Sequence, residues 1–205
     1  MIKIVADFES TGINPLQAEI LSGYFINLDT GETYDFRSQV NKWCDDAAEI
    51  HGITEAEMHT YPAKDYAYEK LLDWLPSEFE MIVYANANSE LGYQLYDVTL
   101  LRMNLLDHLN LDRVEHLPIK IHGYSVHSLA KQLDKDGLIN VLRNPKTNRK
   151  SFTQLNVFMT VFCGEIYNTH DACDDATALA RLYKQLIHIK ESGKSVADKQ
   201  QLDLF

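Results

Sequence analysis

Asp7 and Glu9 stand two residues apart near the start of the chain, in Ile2-Lys3-Ile4-Val5-Ala6-Asp7-Phe8-Glu9. The apolar run there reads as a strand, and side chains alternate along a strand, so the two carboxylates share one face. Neighbouring carboxylates repel unless a cation lies between them. Ser10-Thr11-Gly12 then turns the chain away and leaves the strand end open. A second acidic group lies far along the sequence, in His170-Asp171-Ala172-Cys173-Asp174-Asp175. Asp171 and Asp174 suit the first turn of a helix, where acids meet the positive end of the dipole. Asp175 differs, because Asp175, Ala178, Leu179 and Leu182 are spaced i, i+3, i+4, i+7 and so lean to one apolar side. An inward carboxylate needs a partner, and a metal would supply one. Alone, an Asp-x-Glu pair is as compatible with a solvated strand edge, and His170 with a histidine that does no chemistry.

The elements that must position these groups follow from pattern. Strands are expected at Ile2–Phe8, Glu19–Leu28 and Thr33–Val40, the last two joined by the turn Asp29-Thr30-Gly31-Glu32. Thr54-Glu55-Ala56-Glu57 is a capping box that starts a short helix, and another helix runs from Asp65 to Leu75 before Pro76. Met81–Ala87 reads as a buried strand. Leu91, Leu95, Val98, Leu101 and Leu105 then predict a helix over Ser89–His108. Residues 112–150 carry a weaker pattern, with a helix at Ser125–Leu133 and a basic loop at Arg143–Lys150. Helices at Phe152–Phe162 and Asp171–Ile189 close a domain spanning residues 1–190. Residues 191–205 read as a flexible tether with an apolar end. Strands followed by mixed helices and a strand predict an α/β fold with a mixed sheet.

Composition bounds the function. The chain has 205 residues, enough for one domain with a real core, and 45% hydrophobic residues. Its three cysteines, Cys44, Cys163 and Cys173, form no CxxC pair, which argues against a disulfide framework or a zinc knuckle. No apolar run is long enough to span a bilayer and the N-terminus turns polar too soon for a secretory signal, so a cytoplasmic protein without a membrane partner is expected. A net charge of −11 suits an enzyme gathering carboxylates around cations better than a protein that coats nucleic acid.

Val5-Ala6-Asp7-Phe8-Glu9-Ser10-Thr11-Gly12 resembles the first motif of the DEDD exonucleases. His170 with Asp175, in HDACDDATALARLY, resembles the third motif of their histidine subclass, and His51-Gly52-Ile53-Thr54 a segment often found between. These matches fall in order over some 170 residues. The second motif departs from the pattern: Asn86 and Ala87 match, while Ala85 replaces a histidine, Ser89 an aromatic residue and Glu90 the expected aspartate. Tyr96-Asp97 locally imitates the same motif, but in a helix beginning at Ser89 Asp97 falls two turns in, about 10 Å further along. The following Gly92-Tyr93 and Leu100-Leu101 also resemble polymerase III proofreading subunits in the register of Glu90, so Glu90 is preferred to Asp97. Tyr167, four residues before Asp171, has the spacing of a tyrosine subclass, but the continuation after Asp175 favours His170 and Asp175.

The resemblance implies a ribonuclease H-like mixed sheet flanked by helices. It implies two divalent ions, Mg²⁺ or Mn²⁺, held by Asp7, Glu9, Glu90 and Asp175, with His170 as general base. Ser10, Thr11, Gly12 and Asn86 would touch the terminal nucleotide of a 3′ end, expected to be single-stranded DNA. The final Gln201-Leu202-Asp203-Leu204-Phe205 is similar to the bacterial sliding-clamp-binding pentapeptide, and its three apolar side chains could fill a partner's pocket. A β-type clamp is thus an expected partner, and it favours DNA over RNA. An exoribonuclease of the same superfamily and a non-catalytic clamp adaptor are the alternatives.

Overall fold

The computed structural model describes residues 1–84, 95–140, 155, 159, 163 and 170–193. Five strands, β1 (Ile2–Ser10), β2 (Ile20–Asn27), β3 (Thr33–Arg37), β4 (Glu78–Val83) and β5 (Lys120–Ser125), form one sheet in the order β3-β2-β1-β4-β5. β1–β2 and β2–β3 pair antiparallel, β1–β4 and β4–β5 parallel, so the sheet is mixed, as expected. Three helices precede β4: α1 (Asp45–His51), α2 (Glu55–Met58) and α3 (Lys64–Trp74). The helix α4 (Tyr96–His108) precedes β5, and α5 (Val126–Lys135) and α6 (Ala172–Ser192) follow it.

Alternation along β1 sorts its side chains between two cores. Ile4, Ala6 and Phe8 join the cluster that includes Tyr68 and Leu71 of α3 and Leu101 and Leu105 of α4. Val5 joins the cluster built with Leu129 and Leu133 of α5 and Leu179, Leu182 and Leu186 of α6. Asp7 and Glu9, in phase with Val5, therefore lie toward α6. Gly23 on β2, paired with Phe8, allows the ring to lie flat on the strand: an added Cβ there would be 2.6 Å from Phe8 Cδ1. Phe8 in turn meets Phe25 edge to face at 5.4 Å. Asn104 of α4 is buried and satisfied, accepting from Ile20 N–H and Tyr68 Oη–H and donating to the Ala18 and Leu100 carbonyls.

Several expectations hold closely. Thr54 forms the capping box with Glu57, and the helices expected at Asp65–Leu75, Ser125–Leu133 and Asp171–Ile189 appear as α3, α5 and α6. Leu155, Met159 and Cys163 are helical, inside or next to the expected Phe152–Phe162. Other boundaries differ. β4 runs three residues earlier than expected, pairing from Glu78, and β5 and α1 were not foreseen. α6 continues through Glu191 and Ser192 before the left-handed Gly193 closes it, so the helix reaches into the segment expected to be a tether. The consequential correction concerns α4. Leu95 is extended (φ −140°) and the helix begins at Tyr96, which puts Asp97 in its first turn rather than two turns in. Glu90, Asn86, Tyr167, the basic loop Arg143–Lys150 and Gln201–Phe205 lie outside the described residues.

Candidate active site

The end of β1 is the platform. Among the described residues its parallel pairing with β4 ends at Val5 with Ile82, and Asp7 and Glu9 lie past that pair. On the other side the β1–β2 register breaks between Glu9 and Ser10, an irregularity common beside functional sites. Both carboxylates thus sit at the carboxyl end of a strand flanked by parallel pairing, where open α/β sheets place their ligands.

α6 brings the third acid. Asp171 caps that helix, its side chain accepting from the Cys173 and Asp174 backbone N–H groups at 2.9 and 3.1 Å. One turn on, Asp175 turns inward, and one oxygen each from Asp7, Glu9 and Asp175 lie within 4.8 Å of one another. The two acids that the sequence left open for the third motif have therefore separated: Asp171 is spent on the helix cap, and Asp175 joins the cluster. Asp175 is steered by its neighbour, since the His170 backbone N–H donates to Asp175 Oδ2 at 2.9 Å. That bond requires His170 to take a left-handed conformation (φ 68°), which is uncommon outside glycine. The His170 residue itself is exposed.

A further acid, Asp97, acts on this cluster from outside the group whose oxygens lie within 4.8 Å of one another. Burial pushes the Asp7 carboxyl well above its ordinary range, and the charges of Asp97, Asp175, Glu9 and Asp171 add to the push in that order. Glu9 is raised to about 8 by burial and then by Asp175, Asp171 and Asp97. Asp97 is raised to about 7 by burial, partly offset by a hydrogen bond from its own backbone N–H. The start of α4 at Tyr96 removes the helical offset that counted against Asp97 in the sequence, while the register that favours Glu90 falls on residues outside the described ones. A group of half-buried acids that raise one another's pKa is what a cation would relieve. The donor set is all oxygen, which suits a hard divalent ion.

Beside Glu9 opens a cleft of about 550 Å³, bounded by Phe8, Glu9, Ile13, Ile50, His51 and Tyr96 among others. Ile13 and Ile50 are strongly exposed on its rim, at 81% and 59%. The His51-Gly52-Ile53-Thr54 segment is a helix stop followed by a helix start: His51 ends α1, Gly52 caps it at φ 72°, and Thr54 caps α2. His51 Nδ1 accepts from the Ile53 N–H at 3.1 Å, and burial lowers the ring's pKa. The turn after Glu9 is already engaged. Thr11 N–H donates to the Glu19 carbonyl at 3.0 Å, Glu19 N–H donates to Thr11 Oγ1 at 2.9 Å, and Ser10 Oγ–H donates to the Gly12 carbonyl at 3.0 Å. What Thr11 can still offer a ligand is its hydroxyl proton.

The chain matches no family model and no curated protein. Solved structures do resemble it. Escherichia coli Exonuclease I in complex with a dT13 oligonucleotide superposes with a TM-score of 0.75 at 17% identity, over 93% of this chain and 42% of that one. The zinc-ion-bound form of the E. coli ExoI–ssDNA complex gives 0.72 at 18%, over 94% and 41%. A moderately thermophilic Exonuclease I from Methylocaldum szegediense gives 0.72 at 16%, over 93% and 41%. This chain thus spans about two fifths of the length of these structures. Together with the five-stranded mixed sheet flanked by helices, the likeness defines a ribonuclease H-like α/β fold.

Proposed function

We propose that this chain is a metal-dependent 3′→5′ exonuclease of the DEDD superfamily, histidine subclass, that shortens single-stranded DNA. The observation that carries the proposal is the convergence of Asp7, Glu9 and Asp175 within 4.8 Å, with Asp97 half-buried and pressing on Asp7. Asp97 rather than Glu90 is taken as the fourth carboxylate. Its place in the first turn of α4 supports this, as does its charge, which among the described residues acts most strongly on Asp7.

Asp7, Glu9, Asp97 and Asp175 would hold two divalent ions, Mg²⁺ or Mn²⁺. Bound there, such a pair supplies an activated water and neutralises the charge that develops on the scissile phosphate. His170 takes the proton from the attacking water as general base, a task that an imidazole suits. The left-handed backbone at His170 keeps the imidazole and the Asp175 carboxylate on one short segment, since the same residue's N–H holds Asp175. Asp171, occupied as helix cap, supports this register over the tyrosine one. The cleft beside Glu9 receives the terminal nucleoside, with Ile13 and Ile50 offering apolar contact to its base and Ser10 and Gly12 forming one wall. The leaving group is the 3′ oxygen of the preceding nucleotide, and the product is a nucleoside 5′-monophosphate.

Single-stranded DNA is favoured because the superposed Exonuclease I structures are described with dT13 and with ssDNA bound. The Gln201–Phe205 peptide is proposed to dock the enzyme on a bacterial β sliding clamp. The test is an end-labelling assay. With Mg²⁺ or Mn²⁺, a 5′-labelled DNA oligonucleotide should yield a ladder shortened from the 3′ end, abolished by EDTA. RNA of the same sequence should be degraded more slowly. A faster RNA reaction would make this the exoribonuclease, and no hydrolysis of either would leave the adaptor.

A further inference from the structure

We propose that the Tyr96 hydroxyl is a positioning group for the carboxylate cluster, tying the start of α4, and hence Asp97, to the turn that follows Glu9. This rests on the metal-site proposal above. α4 has no capping side chain of its own: its N-cap residue is Leu95, which offers no oxygen to the first-turn N–H groups. Two contacts hold the helix start instead. Leu95 packs on the bare backbone of Gly123 in β5, where an added Cβ would lie 2.2 Å from Leu95 Cδ1. Tyr96 reaches the other way. Its hydroxyl donates to the Gly12 carbonyl and lies 3.0 Å from Ser10 Oγ, which also donates to that carbonyl.

One end of this tie adjoins a carboxylate, and the other, at Gly12, lies three residues past Glu9 in the turn that Ser10 opens. Ser10 follows Glu9, and Tyr96 precedes Asp97. The tie is needed because neither end is fixed by its own element. The β1–β2 ladder loses register between Glu9 and Ser10, and the first turn of α4 is uncapped. The acids meanwhile repel one another, so an untied α4 start would relax away from Asp7 before a cation arrived. Three oxygens share two hydroxyl protons here, and among the described residues only the Tyr96 donor crosses from α4 to the turn. Removing Ser10 Oγ therefore leaves the crossing bond, while removing the Tyr96 hydroxyl cuts it.

The experiment measures Mn²⁺ binding to the full chain by electron paramagnetic resonance, alongside thermal melts and steady-state kinetics. Tyr96→Phe should weaken Mn²⁺ binding about five- to tenfold, the size expected for one lost hydrogen bond. Its rate at limiting Mn²⁺ should fall in step and recover at high Mn²⁺. Ser10→Ala should bind Mn²⁺ as the wild type does, and Tyr96→Phe/Ser10→Ala should be no worse than Tyr96→Phe. A hydroxyl that served the fold alone would lower the melting temperature and leave Mn²⁺ affinity untouched, and that result overturns the proposal. Should Tyr96→Phe fail to fold, Ser10→Val supplies the same reading. Its added methyls crowd the tyrosine hydroxyl off the Gly12 carbonyl, and unchanged Mn²⁺ affinity in that variant would again overturn it. Wild type that binds no Mn²⁺ would overturn the metal site itself, an outcome distinct from equal binding by wild type and Tyr96→Phe.

Discussion

Asp97, in the first turn of α4, presses on Asp7 at the end of β1 more strongly than any other charge among the described residues. The two residues are ninety positions apart in sequence and belong to elements on opposite sides of the β4 strand in chain order. Their meeting decides which acid completes the cluster. Asp97→Asn should abolish metal-dependent hydrolysis, with a fall on the order of 10³-fold for several kcal/mol of lost transition-state stabilisation. Glu90→Gln should keep nearly full activity. Steady-state rates of the two variants decide the point, and a dead Glu90→Gln beside a healthy Asp97→Asn would return the second motif to Glu90.

The raised carboxylates make stability depend on pH. Glu9 moves from 4.5 to about 8 and Asp97 from 3.8 to about 7. Between those values the folded chain holds protons that the unfolded chain has lost, so stability falls as pH rises. The contribution is complete below the unfolded values and is gone once pH has passed through about 7 to 8. Thermal melts of the metal-free protein should therefore drop steadily across this window. Glu9→Gln should flatten the slope, and saturating Mn²⁺ should reverse it by binding the deprotonated form. A metal-free melting temperature that climbs toward pH 8 would contradict the clustering of these acids.

His170 carries two roles that substitution can separate. Its imidazole is the proposed base, and its backbone N–H holds Asp175 from a left-handed conformation. His170→Ala should lose roughly 10²–10⁴ in rate while still binding Mn²⁺. Its backbone strain is unrelieved, because a Cβ in the left-handed region costs about 1 kcal/mol or more. His170→Gly should be equally inactive but melt higher than His170→Ala. Equal melting temperatures would mean that the left-handed turn is not held under strain.

Deleting Gln201–Phe205 should leave hydrolysis of short oligonucleotides unchanged and abolish binding to a β-type clamp. Linear peptides with two or three apolar anchors bind at about micromolar strength, near −8 kcal/mol. Calorimetry with purified clamp should find that range for the full chain and none for the truncation. Leu204→Ala with Phe205→Ala should mimic the deletion. Equal clamp binding by the truncated chain would remove the peptide from the account.

The sequence made the platform legible because its signals are local. Alternation puts Asp7 and Glu9 on one face, and the i, i+3, i+4, i+7 spacing turns Asp175 inward, with both readings met in the fold. The capping pair Thr54 and Glu57 is likewise a four-residue signal. The start of α4 was not legible. Leu91 and Leu95 continue the apolar spacing of the helix backward, yet Leu95 is extended and packs on Gly123, a contact between residues 28 positions apart. Periodicity cannot tell a leucine inside a helix from one that docks just before it. The Tyr96 hydroxyl offered a weak clue, since a polar atom next to a candidate ligand needs a partner. β5 was missed because Lys120–Ser125 alternates poorly, with its burial supplied by β4 and by Leu95 and Val98 above Gly123.

The most direct test of the central claim is anomalous diffraction from crystals soaked in Mn²⁺ with thymidine 5′-monophosphate. The account predicts two manganese peaks about 3.5–4 Å apart, as in two-metal phosphodiesterases. Oxygens of Asp7, Glu9, Asp97 and Asp175 should all lie at ligand distance from one peak or the other, with the nucleoside in the cleft beside Ile13 and Ile50. A cluster without manganese, or one in which Asp97 ligates neither peak, would contradict it.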